Sequence, residues 1–87
     1  MGMDIVELVT GLEERFGVVI GNEEVSQIAT VGSLATAICA ARASRGLEEL
    51  RWSNVYAVMV DILHSDYGIG GHLLRPEARL VEDLGLD

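Results

Sequence analysis

The sequence predicts an all-α domain: three longer helices, one short helix and a long loop packed on them. Three observations carry this. Apolar residues recur at helical spacing in three separate stretches. The chain has one proline and only short β-branched runs. Residues that suit helix starts and stops flank each stretch. With 87 residues the chain is read as one domain, residues 1–87, and 49% hydrophobic content with few aromatics makes its core aliphatic.

The first helix is expected over residues 3–16. Ile5, Leu8, Val9, Leu12 and Phe16 fall on one stripe with Val6 beside it, Asp4 and Glu7 suit the positive end of the dipole, and Gly17 is the stop. After a short connector, Asn22 is read as the cap of a single turn over residues 23–26. Thr30 caps the next helix, residues 31–44, which buries Val31, Leu34, Ala35 and Ile38 and ends near Gly46. Glu48 and Glu49 are read as the acidic first turn of the last helix, whose stripe is Trp52, Tyr56, Met59, Ile62 and Leu63. The remainder holds four glycines and the proline. Its apolar residues, Ile69, Leu73, Leu74, Leu80, Val81 and Leu84, require burial, so it is expected to be a packed loop.

Charge and cysteine usage narrow the function classes. A net charge of −8, from 14 acids and 6 bases, argues against phosphate-backbone binding and for basic partners. The first 30 residues hold one base, Arg15, against six acids. No apolar stretch approaches the roughly 20 residues of a membrane span, and the N-terminal residues lack a basic signal-peptide region. The lone Cys39 forms no internal disulfide, which points to the cytoplasm; on its alanine-rich helix it reads as a small core residue. His64 and His72 have no compelling metal-ligand spacing with Asp61 or Asp66, so no metal is expected. The glycines at 68, 70 and 71 lack the lysine of a phosphate loop and read as a turn. No nucleophile, base and orienting group converge, so no enzymatic activity is expected.

Two segments carry a family resemblance. MDIVELVTGLEERF, from Met3 to Phe16, resembles DS(L/M)DxVELVxxLEExF, which opens the second helix of acyl carrier proteins. Ile20-Gly21-Asn22-Glu23-Glu24 is similar to that family's I-P-D-E-E turn, and Ile28-Ala29-Thr30-Val31 to its I-x-T-V helix start. The first 40 residues thus resemble the family's second half. The last 38 resemble its first half, where NVYAVMVDIL is the first helix and LVEDLGLD ends the long loop one residue short of the family's serine. The halves, 1–46 and 47–87, stand in exchanged order, as in a circular permutant opened at the attachment site. ARASRGLEEL would then bridge the old termini, with Gly46 turning the chain. The alternative is that residues 41–50 run on as one helix and the last helix docks on a second molecule as a domain-swapped dimer.

The resemblance implies a four-helix carrier bundle that tethers acyl, polyketide or aminoacyl thioesters on 4′-phosphopantetheine. In the family a serine at a helix N-terminus carries that arm, where free N–H groups favour its phosphate. Here Asp87 matches the residue before the serine, Met3 and Asp4 match those after it, and Gly2 takes the serine's slot. Glycine has no hydroxyl, and Ser26, Ser33, Ser44, Ser53 and Ser65 lie outside the motif, so no prosthetic group is expected on this sequence. By the same match Asp4, Glu7, Glu13 and Glu14 form a face that docks on basic patches of a phosphopantetheinyl transferase and of acyl or ketide synthases or ligases. Arg15 stands where many members have an acid. From the residues alone that run is equally a solvated face, or the binding surface of a non-carrier interaction module. Met3, Val6, Leu8, Val9 and Met59 either line an acyl pocket or are plain core.

Overall fold

The computed structural model describes residues 3–86. Four α-helices occur in order: α1 (Met3–Phe16), α2 (Asn22–Gln27), α3 (Val31–Ser44) and α4 (Trp52–Ser65). The ends of α1 and α3 and the start of α3 follow from local features of the sequence. One 3-10 turn, Gly71–Leu73, interrupts the loop that follows. Among the described residues there is no strand, only an isolated antiparallel bridge between Thr30 and Arg79. No helix described is long and apolar enough to cross a membrane.

The expected stripe of α1 is the buried one: Ile5, Leu8, Val9, Leu12 and Phe16 all enter the core, and Val6 stays half exposed. Gly17 adopts φ +69°, which lets Val18 N–H reach back to the Glu13 carbonyl and close the helix. In α3, Val31, Leu34, Ala35 and Ile38 are wholly buried. In α4, Val55, Met59 and Leu63 are wholly buried, and Tyr56 and Ile62 are partly covered. Trp52, expected in the buried stripe, is 37% exposed and stacks on Tyr56 at 5.1 Å between ring centres. The core is one cluster shared by all four helices and the loop.

At the N-terminus of α3 all four free backbone donors are satisfied. Thr30 Oγ1 accepts from Ser33 N–H at 3.0 Å, and Ser33 Oγ accepts in return from Thr30 N–H at 2.9 Å. The two remaining free donors are taken by the loop: Val31 N–H donates to Ala78 O at 3.0 Å and Gly32 N–H to Pro76 O at 2.8 Å. Leu80 N–H adds a bond to Ala29 O. Gly32 is required by this seam, since a Cβ there would stand 2.9 Å from the Pro76 carbonyl oxygen. From α4, the Tyr56 hydroxyl donates to Leu74 O and His64 Nδ1 bonds Ile69 O. A carbonyl only accepts, so His64 carries its proton on Nδ1.

Three further expectations are corrected, and one alternative is not adopted. Asn22 is the first residue of α2 and not its cap; Gly21 holds the extended cap position and accepts from Val25 N–H, with no side-chain bond. Glu48 and Glu49 precede α4, which begins at Trp52. The Glu48 carbonyl, which a helix from residue 48 would offer to Trp52 N–H, is bound by Arg42 Nη2 at 2.9 Å. A continuous helix through residues 41–50 is also not adopted, because Gly46 at φ +68° turns the chain after Ser44. In the loop, Ile69, Leu74 and Leu80 are buried and Leu84 is partly covered, but Leu73 and Val81 face outward.

Candidate functional site

An open groove of about 900 Å³ runs along α1. Its apolar floor includes Leu8 and Leu12 from α1, Ile62 from α4, and Ile69, Leu84 and Leu86 from the loop. Its rim carries Asp4, Glu7, Glu14, Asp66 and Tyr67, with Arg15 the one cation that the described residues contribute to it. The 3.6-residue period of α1 produces this layout. Asp4, Glu7 and Gly11 lie on the flank beside Leu8 and Leu12, and Gly11 has no side chain to fill the space. Asp4 comes from the first turn of α1 and Glu7 from the second.

The groove closes at its far side on the loop. Gly85 at φ +71° turns the chain so that Leu86 N–H reaches the Leu80 carbonyl. This seats Leu86 in the core at 4% exposure, on the same groove as Asp4 and Glu7. Arg79 and Asp83 fix the preceding turn: Asp83 accepts from Arg79 N–H at 2.8 Å and from its guanidinium at 3.1 and 3.2 Å. Those bonds hold the Asp83 carboxyl below its ordinary range.

Tyr67 is a group that the sequence pattern does not single out, being one letter in a glycine-rich turn. It is partly buried among acids. Burial raises its phenol pKa first, and the charges of Glu7, Asp4 and Asp66 raise it further. The phenol therefore stays a neutral donor in a field of carboxylates. No local pattern marks it, because its neighbours come from α1.

Of the acids assigned to α1, the groove gathers Asp4, Glu7 and Glu14. Glu13 instead braces the turn after α1, where its Oε2 accepts from Ile20 N–H at 2.7 Å. Gly2 and Asp87, matched to the family's attachment motif, lie outside the described residues, and so does the side chain of Met3. Leu8, Val9 and Met59 are core residues, whereas Val6 is exposed. Cys39 is partly buried; burial raises its thiol pKa, against a smaller lowering by Arg42. His64, His72, Asp61 and Asp66 do not gather: among the described residues no three His, Cys, Asp or Glu side chains converge as metal ligands would.

The groove is thus an open surface whose accessible rim is largely acidic and whose apolar floor is mostly buried core. No protein-family model matches the chain, and neither does any curated protein or solved structure.

Proposed function

We propose that this chain is a carrier-protein-like scaffold, similar to acyl carrier proteins with the two halves exchanged, that binds basic partners through α1 and carries no prosthetic arm. One observation supports this most. In the resembled family the L-G-x-D end of the long loop leads directly into the acidic helix. Here that loop end, Leu84 to Leu86, lines one groove with Asp4 and Glu7, although nearly the whole chain separates them in sequence. The bonds joining residues 76–80 to the start of α3 bring the remaining pieces into one bundle.

On this reading the family's 4′-phosphopantetheine has no attachment point: it needs a serine hydroxyl between the loop end and the acidic helix, and the motif match gives Gly2 for that slot. The described serines are no substitute. Ser33 is held in the cap of α3, Ser26 donates to Glu23 O, and Ser44, Ser53 and Ser65 sit on α3 and α4. What remains is docking. Asp4, Glu7 and Glu14 set the field that steers a basic surface.

The test is incubation with a phosphopantetheinyl transferase and coenzyme A, with mass and binding both recorded. The mass stays unchanged, and the transferase binds in a salt-sensitive manner that the double variant E7Q/E14Q weakens several-fold. A gain of one arm refutes the armless reading. Binding indifferent to both salt and the acids refutes the docking face.

A further inference from the structure

The bridge between α3 and α4, residues 45–51, is mostly exposed and is held at few points. α3 ends in a glycine-centred turn. Gly46 N–H donates to Ala43 O, and Leu47 N–H donates to Arg42 O. Arg42 then does something its position in sequence does not suggest. Its Nη1 donates to Phe16 O, at the end of α1, at 2.7 Å, and its Nη2 donates to Glu48 O, in the bridge, at 2.9 Å. Arg45 Nη1 adds a bond to Gly17 O at 2.6 Å. One guanidinium therefore ties three separate pieces together: α3, which carries it, the end of α1, and the bridge. Its Nε is buried without a partner, so the side chain sits there at some desolvation cost.

The bridge composition opposes the turn. Arg45, Leu47, Glu48, Glu49, Leu50 and Arg51 all favour helix, and Gly46 is the breaker among them. If residues 45–51 became helical, α3 and α4 would merge, and α4 would start about 10 Å further along the axis. Val55, Met59 and Leu63, now wholly buried, would leave their own core. A second copy opened in the same way offers an identical surface to receive them.

We propose that Arg42 is a latch: its two bonds hold the bridge bent and keep α4 with its loop on their own chain, and its release lets two copies exchange that arm. The partner is thus a second copy of this chain, and the inference does not rest on the carrier reading. Cys39 offers a built-in reporter, because it shares a small pocket with Arg42, Leu47 and Leu50 of the closed bridge.

The experiment compares the native chain with Arg42→Met, which keeps the aliphatic stem but has no donors, and with R42M/G46A. Light scattering gives the mass, and thiol labelling gives the exposure of Cys39. The native chain is expected to be monomeric and slow to label. Arg42→Met should label at least several-fold faster and form some dimer on concentration. R42M/G46A should be mainly a dimer that persists for hours after dilution, since undoing an exchange requires opening the core. Three results would each overturn the latch: a native chain already dimeric, Cys39 labelling unchanged in Arg42→Met, or a folded R42M/G46A that stays monomeric. If R42M/G46A does not fold, the labelling rate of Arg42→Met decides.

Discussion

The molecule has two long connections, and they are fixed in opposite ways. The loop over residues 66–86 has almost no regular structure, yet Ile69, Leu74, Ala78, Leu80 and Leu86 are all in the core. Its carbonyls finish the N-terminus of α3, so part of that helix's hydrogen bonding is supplied by the loop. The bridge over residues 45–51 is built of better helix formers, yet it contributes only the half-covered Leu50 to the core and is pinned by arginine side chains. Order in an irregular segment thus comes from satisfied backbone groups and buried side chains, and not from local propensity. The loop behaves as part of the body, and the bridge as a hinge.

The comparison breaks most readily at Leu80, which is 1% exposed. If the loop belongs to the core, Leu80→Ala should cost about 2–5 kcal/mol in urea unfolding, as in any helix interior. A cost under about 1 kcal/mol would mean that the loop lies loosely on the surface. Gly32→Ala should come next, at about 1–3 kcal/mol, because the new methyl meets the Pro76 backbone. Amide exchange should also quicken at Val31 and Gly32 in that variant, with α1 protected as before. Alanine normally stabilises a helix, so a neutral or stabilising result would contradict the close approach of loop and helix.

The smallest effect belongs to Asp83. Its carboxyl is held low by the hydrogen bonds from Arg79, with the Arg79 charge adding to them. A depressed folded-state pKa contributes stability above the ordinary aspartate range, and that contribution is lost as pH falls through the lower folded value. Both groups are exposed and screened. Asp83→Asn should therefore leave neutral-pH stability nearly unchanged and flatten the acid limb of the stability profile slightly, as read by thermal melts between about pH 5 and pH 2. A large loss at neutral pH would mean that this turn carries far more than its exposure suggests.

What is legible in the sequence follows from the same contrast. The helix at residues 31–44 is legible because its stripe is bounded by a local cap and a local stop, and that at residues 3–16 because its stripe runs up to Gly17. Thr30 is legible as a cap for that reason, and Gly46 as a turn. Arg42, Glu13, Gly32 and Tyr67 are not. Arg42 finds the end of α1 26 residues away, Gly32 meets Pro76, and Tyr67 meets Glu7, so no local pattern announces them. Glu13 reads like any solvated glutamate until its carboxylate is found on the Ile20 N–H. The start of α4 is misplaced for a related reason: Glu48 and Glu49 look like a first turn, but the Glu48 carbonyl already belongs to Arg42. The groove itself is half legible. Its acidic rim on α1 stands in the sequence, whereas the far wall depends on where the loop end packs.

That packing is the central claim, and an isotope-mixed nuclear Overhauser experiment measures it most directly. Labelled and unlabelled chains are combined before folding, and contacts are sought between the methyl groups of Leu84 and Leu86 and the side chains of α1. Strong contacts are expected within a single chain, to residues on the Leu8–Leu12 side of α1. Contacts found only between chains, or none at all, would contradict the claim.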